Sequence, residues 1–158
     1  MPETTRTRNA TAPGGRNGIW QRPGLFGLAV FAIGLVVTIA VYFPGIMTAD
    51  TWYVYNDISA PNAGDWQSPV MVVTWGFLQR FLPGSPPGPM FLLIATLYWA
   101  AFAVLATAFA RRSPLAAVLT VVAALSPPAF LMAGVIWRDV LMSVAWLLAA
   151  SLALSAAP

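Results

Sequence analysis

Residues 25–43 read LFGLAVFAIGLVVTIAVYF, nineteen residues in a row without a charge. An α-helix rises about 1.5 Å per residue, so a helix of this length covers the roughly 30 Å hydrocarbon core of a bilayer. A secretory signal peptide has a shorter apolar region and a small-residue cleavage site, whereas this stretch ends in Tyr42, Phe43 and Pro44. The sequence therefore predicts an uncleaved first membrane span.

Further apolar stretches follow this first one. Three of them are long enough to be spans, and they lie at about 90–110, 115–136 and 140–157. Pro127 and Pro128 fall inside the stretch at 115–136 and predict a kink that neighbouring helices tolerate. A fourth stretch, residues 70–82, is only about thirteen residues long and contains Gln79 and Arg80, so it favours an interfacial helix.

The fold class predicted from these stretches is all-α. We expect a polytopic membrane helix bundle of about four transmembrane helices, with a juxtamembrane helix in a first outer loop at 44–89. Residues 1–22 are polar and contain Gly, Pro, Thr and four Arg, which is typical of a disordered tail. The membrane domain then occupies residues 23–158.

The composition supports this class and excludes several kinds of chemistry. Charged residues make up 8% of the chain and hydrophobic residues 59%, against about 25% and 45–50% in soluble domains. The chain has no Cys and no His, which excludes disulfides, thiolate or imidazole metal sites and His-assisted nucleophiles. The few Arg residues mostly flank apolar segments instead of clustering, so nucleic-acid binding is not expected.

The charges predict an orientation for the four spans. With the N-terminal tail in the cytoplasm, the inside holds one acid, Glu3, and six arginines: Arg6, Arg8, Arg16, Arg22, Arg111 and Arg112. This agrees with the positive-inside rule. The outside then holds every aspartate together with two arginines: Asp50, Asp57, Asp65, Asp139, Arg80 and Arg138. Any catalytic or binding site built from carboxylates is therefore expected on the outer face.

Two aspartates stand out among these acids. Asp50 follows the first span closely, between apolar Met47 and Trp52, and acids at membrane level are costly and often functional. Asp139 opens the fourth span, where it would cap the helix or lie near its positive end. If these spans pack together, the two carboxylates meet in one cleft.

The outer residues resemble a known family. Pro44-Gly45, then Asp50, then the stretch Asp65-Trp66-Gln67-Ser68-Pro69 resembles the first outer loop of GT-C-fold integral membrane glycosyltransferases, in particular bacterial ones with an Asp-Trp-His-Pro-like stretch. Arg138-Asp139 resembles their second outer motif. Gln67 stands where relatives often have His. Relatives have eight or more spans, so the chain corresponds to the N-terminal part of such an enzyme.

The resemblance implies a reaction at the outer face of the bacterial cytoplasmic membrane. A sugar passes from a polyprenyl-phosphate donor, a membrane lipid, to an extracytoplasmic acceptor. Asp50 is implied as the base and Asp139 as a second catalytic carboxylate. The residues implied in substrate binding are Arg138, Asp65, Gln67, Trp66 and Trp52.

The departing phosphate needs positive charge near it. The Arg138 guanidinium offers a two-pronged hydrogen-bond donor. A divalent metal, Mg²⁺ or Mn²⁺, on Asp50 or Asp139 is a second option.

Two other functions stay open on the sequence. A small transporter or channel-like subunit would also have kinked helices and membrane-level acids, but transport sites lie near mid-depth, where these spans carry no charge. A non-catalytic membrane remnant would insert correctly without activity. The last apolar stretch runs to Pro158 with no basic flank, as expected of the front of a longer protein or of a truncated gene product.

Overall fold

The computed structural model describes residues 22–59, 68–81 and 86–157. The predicted tail at 1–22 lies outside this range, apart from Arg22. The described residues form seven helices and no β-strand. These helices are α1 (Pro23–Tyr42), α2 (Ala49–Ser59), α3 (Pro69–Phe81), α4 (Gly88–Ala110), α5 (Pro114–Ala124), α6 (Pro127–Gly134) and α7 (Arg138–Ala156).

The helix α4 forms the centre of the bundle and packs most extensively against α7, α1 and α5. Small residues let α1 approach it closely, because a Cβ placed at Gly34 would overlap the indole ring of Trp99. The Trp99 indole Nε1 donates a buried hydrogen bond of 2.7 Å to Thr38 Oγ1 on α1. Close packing and one buried hydrogen bond therefore hold α1 against α4. Such contacts are expected in a membrane, because lipid supplies no hydrophobic driving force between helices.

The predicted span at 115–136 bends at its proline pair, as the sequence predicted, and the bend is sharp enough to divide it into two helices. It divides into α5 and α6, whose axes differ by 55°. Pro127 and Pro128 occupy the first positions of α6 and cannot donate the backbone hydrogen bonds that would continue α5. The Tyr98 hydroxyl on α4 donates a buried hydrogen bond to the carbonyl of Ala124, the last residue of α5. The proline pair thus breaks the span where a kink was expected, and a tyrosine pairs one of the freed carbonyls.

The loop between α1 and α4 holds two short helices, where the sequence predicted one. The expected helix at 70–82 is present as α3, and α2 is the additional one. Trp75 of α3 is fully buried, and its indole Nε1 donates to the carbonyl of Pro86 at 2.9 Å. The opposite face of α3 exposes four apolar side chains at helical spacing: Val70, Val73, Phe77 and Phe81. The helix α3 therefore buries one apolar face within the protein and leaves a second apolar face exposed.

Three helices are long and apolar enough to cross a membrane, namely α1, α4 and α7; a fourth crossing results if the bent pair α5–α6 counts as one span. These helices indicate a membrane protein. Among the described residues, Arg22, Arg111 and Arg112 lie where α1 begins and α4 ends, which we call the arginine end. The described aspartates lie at the opposite, aspartate end, in α2 and at the start of α7.

Candidate functional site

The candidate site is built where two chain segments meet at the aspartate end. One segment joins α1 to α2 and the other joins α6 to α7. The Ile46 backbone N–H donates to the carbonyl of Gly134 at 2.9 Å, and the Ile136 N–H donates to the carbonyl of Ile46 at 3.1 Å. This is a short parallel β-bridge, and it brings the beginning of α2 next to the beginning of α7.

The turn that leads into this bridge depends on Gly45. Its φ angle is +111°, a conformation that residues with a side chain rarely adopt. A Cβ at this position would lie 2.8 Å from the Phe91 Cβ and 2.9 Å from the Ile136 Cδ1. The Pro44-Gly45 signal in the sequence therefore marks both the end of α1 and a close approach to α4 and to the α6–α7 segment.

Side-chain hydroxyls reinforce the junction. The Thr51 Oγ1 is buried and donates to the carbonyl of Ile136 at 2.7 Å. The Thr48 and Thr51 hydroxyl oxygens lie 3.0 Å apart, and the Trp137 Nε1 donates to the Thr48 Oγ1 at 2.8 Å. Thr48 immediately precedes α2, and its backbone N–H donates to the Thr51 Oγ1 at 3.3 Å, which is half of a capping box.

A pocket of about 450 Å³ opens beside this junction. This volume lies within the range of about 300–1,000 Å³ that small-molecule sites occupy. Its charged lining residues are Asp50, Arg138 and Asp139, and its remaining lining residues are Thr51, Val54, Met71, Ile136 and Trp137. The structure therefore brings three of the predicted site residues to one pocket.

The two pocket carboxylates have equivalent positions on their helices. Asp50 lies in the first turn of α2 and Asp139 in the first turn of α7, where the positive end of the helix dipole favours negative charge. Of the two positions that the sequence predicted for Asp139, the one near the positive end of the helix is observed and the capping position is not. The N-cap residue is Trp137, whose side chain makes no capping bond, and α7 begins two residues earlier than a cap at Asp139 would require.

The Arg138 side chain is paired, but only weakly. Its Nε lies 3.2 Å from the Asp139 Oδ1, and the two side chains are 54% and 79% exposed. Ion pairs this exposed contribute little stability, so an anionic ligand can draw Arg138 away at small cost. With Asp50 included, the charged residues of the pocket sum to −1, which favours a cation or a ligand that brings one.

The donor set suits a shared metal better than a protein-held one. Within residues 22–59, 68–81 and 86–157 no group of three or more His, Cys, Asp or Glu side chains could hold a metal ion. Two carboxylates do line the pocket, and Mg²⁺ is commonly bound by one or two carboxylates plus substrate phosphates. The residues therefore fit a metal that arrives with a phosphate ligand.

No protein-family model, curated protein or solved structure matches this chain. The roles assigned to the site residues accordingly remain predictions.

Of the remaining predicted site residues, Trp52 is the one that the structure describes, and it does not line the pocket. Trp52 is 51% exposed, and its ring packs edge-on against Tyr55 with the ring centroids 6.0 Å apart. Asp65, Trp66 and Gln67 lie outside the described residues. The predicted aspartate–tryptophan part of the resemblance is therefore untested.

Sequence reasoning missed the residues that hold the junction together. Thr48 and Thr51 were not singled out, although a threonine just before a helix and a polar residue three positions later is a recognisable helix-start pattern. Met71 and Val54 were also missed as lining residues, because their contribution depends on how α2 and α3 pack. The contact between the Trp137 indole N–H and Thr48 also had no signal in the sequence.

Proposed function

We propose that this chain is a membrane glycosyltransferase, or the N-terminal part of one, that moves a sugar from a polyprenyl-phosphate donor to an extracytoplasmic acceptor. The observation that carries the proposal is the single pocket lined by Asp50, Arg138 and Asp139. These residues come from the two stretches of sequence that resemble the outer motifs of GT-C-fold enzymes. Their meeting in one pocket is what such a reaction requires of them.

The proposed orientation places the aspartate end outside. The bent pair supports four crossings, because α5 begins just after Arg112 at the arginine end, whereas Gly134 of α6 lies against Tyr42, the last residue of α1. The pair therefore runs from one end of α1 to the other. The arginine end, with Arg22, Arg111 and Arg112, then faces the cytoplasm.

In the proposed reaction, the Asp50 carboxylate accepts the proton of the acceptor hydroxyl. The hydroxyl oxygen forms a bond to the anomeric carbon of the sugar as the bond from that carbon to the phosphate oxygen breaks. Polyprenyl phosphate leaves with the bonding electron pair. The Arg138 guanidinium donates hydrogen bonds to the phosphate oxygens, where a charge-assisted, two-pronged contact is strongest.

A divalent metal, Mg²⁺ or Mn²⁺, would be held by Asp50 or Asp139 and would neutralise charge on the leaving phosphate. Other residues of the pocket have separate roles. Asp139 keeps Arg138 at the pocket by its 3.2 Å ion pair in the absence of ligand. The apolar side chains of Val54 and Met71 line the same pocket and exclude water from its inner wall.

The test uses the purified full-length protein in liposomes with a panel of short-chain polyprenyl-phosphate sugars. We expect Asp50→Asn to bind donor but to lose transfer by about 10²-fold or more, as removal of a general base does. Arg138→Ala is expected to weaken donor binding. Asp57→Asn is the matched control, because Asp57 lies on α2 but does not line the pocket.

Two outcomes would overturn the proposal. One is full transfer by both Asp50→Asn and Asp139→Asn. The other is a wild-type full-length protein that binds none of the donors and transfers none of the sugars. The second result, combined with ion or solute flux across the liposome membrane, would instead favour a transporter or channel subunit.

A further inference from the structure

The junction beside the pocket contains a continuous chain of directed hydrogen bonds. The Thr51 hydroxyl has one hydrogen, and it is donated to the carbonyl of Ile136 at 2.7 Å. The 3.0 Å contact between the two threonine hydroxyls must therefore be donated by Thr48. Thr48 in turn accepts from the Trp137 Nε1 at 2.8 Å. We call this chain, Trp137 to Thr48 to Thr51 to Ile136, the hydroxyl latch.

The latch brackets the catalytic candidates in sequence. Thr48 and Thr51 lie on either side of Asp50, and Ile136 and Trp137 directly precede Arg138. Each of the four latch residues is therefore within two positions in the sequence of a charged pocket residue. Fixing these four residues sets the distance and direction between the first turns of α2 and α7.

Burial makes the last link of the latch, between Thr51 and Ile136, hard to replace. Thr51 is 2% exposed and Ile136 is 1% exposed, so water cannot easily take over their hydrogen bond. The Thr51 oxygen accepts two hydrogen bonds, from the Thr48 hydroxyl and the Thr48 backbone N–H, and donates one. Its full hydrogen-bonding capacity is used within the junction.

We infer that Thr51 is a positioning residue that, through the hydroxyl latch, holds Asp50 in register with Arg138 and Asp139. Three members of the latch, Thr51, Ile136 and Trp137, also line the pocket, and the inferred role acts by keeping the α2 and α7 starts together. The structural part of this inference stands on the hydrogen bonds alone. Its kinetic part rests on the proposed function.

The test compares three variants of the whole chain. Thr51→Val keeps the shape of the side chain and removes the hydroxyl. Thr51→Ser keeps the hydroxyl. Thr120→Val is the matched control, because Thr120 is also buried but its hydroxyl bonds only to the Ala116 carbonyl within α5.

The first measurement is amide hydrogen exchange in peptides that contain Ile46 and Ile136, whose N–H groups form the bridge. We expect Thr51→Val to speed exchange there by at least about fivefold, the lower end of what an unpaired buried polar group costs. Thr51→Ser should restore slow exchange. Unchanged exchange in Thr51→Val would refute the latch, whatever the protein catalyses.

The second measurement is transfer kinetics. We expect Thr51→Val to lower kcat by about 10- to 100-fold, the effect of a misplacement of about 1 Å, with little change in KM for the donor. Thr51→Ser should recover most of this loss, and Thr120→Val should show none. Faster exchange with unchanged kcat in an active protein would overturn the positioning role. Faster exchange together with a wild-type chain that transfers no sugar would refute the proposed function and support the latch as a structural lock.

Discussion

Replacing Gly45 with alanine tests the geometry on which the pocket depends. Gly45 has a φ angle of +111° and lies in the turn between α1 and the bridge residue Ile46. An alanine Cβ there would lie 2.8 Å from the Phe91 Cβ and 2.9 Å from the Ile136 Cδ1. The Ile136 methyl is the end of a flexible side chain and can move, whereas the Phe91 Cβ is tied to the backbone of α4.

The expected cost has two parts. A left-handed backbone conformation costs a residue with a side chain about 1–2 kcal/mol. Forcing a methyl group into a filled site costs about 1–3 kcal/mol more. The sum, about 2–5 kcal/mol, is a large share of the roughly 5–15 kcal/mol by which native proteins are stable.

Thermal unfolding in detergent, followed by tryptophan fluorescence, measures this cost. We expect Gly45→Ala to lower the midpoint by at least about 4 °C, since 1 kcal/mol corresponds to about 2–4 °C in a chain of this size. Gly24→Ala is the control, because a Cβ at Gly24 meets nothing within 4 Å and alanine favours the helix. A Gly45→Ala midpoint equal to or above that of Gly24→Ala would refute the reasoning.

Three further variants or treatments test the core and the site. Gly34→Ala should destabilise the chain more than Gly24→Ala in the same melting assay, because its Cβ would overlap the Trp99 ring; equal midpoints would contradict the packing. Tyr98→Phe removes the hydroxyl that pairs the Ala124 carbonyl, and unfolding should become easier by about 0.6–1.7 kcal/mol, the range for hydrogen bonds between membrane helices. Chelation by EDTA should abolish sugar transfer by the liposome-embedded chain and added Mg²⁺ should restore it, whereas transfer that persists in EDTA would exclude a required metal.

Most of the helices could be predicted from the sequence, because their signals are local. Uncharged stretches of about twenty residues predicted α1, α4 and α7 within a few residues of their observed bounds. A proline pair is also a local signal, but the structural change that it causes depends on other parts of the chain. Pro127 and Pro128 predicted a kink, whereas the observed break also depends on Tyr98, which pairs the carbonyl of Ala124 from another helix.

The helix α2 was missed because its stretch is neither long nor apolar enough to mark a span. Its sequence, ADTWYVYNDIS, contains two acids and few strong helix formers. Its helical form depends on tertiary contacts, with Val54 buried in the core and Thr51 bonded to Ile136. Such contacts between residues far apart in sequence have no periodic signature.

The candidate site likewise contains residues that could be selected from the sequence and residues that could not. The charged residues Asp50, Arg138 and Asp139 could be selected because charges near apolar stretches are rare and easily seen. Their placement in one pocket was expected only on condition that the spans pack together, and the observed pocket satisfies that condition. The threonine hydroxyls that join the two segments could not be selected, because Thr is common and its role here depends on a partner 85 residues away.

That separation of 85 residues also sets a delay between the synthesis of the two halves of the junction. Chains are synthesised at about 5–20 residues per second, so Ile136 follows Thr51 by about 4–17 seconds. During this interval α1, α2 and α3 have been produced while the backbone groups of Ile46 have no partner from the α6–α7 segment. The pocket is therefore completed only after the α6–α7 segment has been made, and slower insertion of α5 and α6 prolongs the time for which Ile46 stays unpaired.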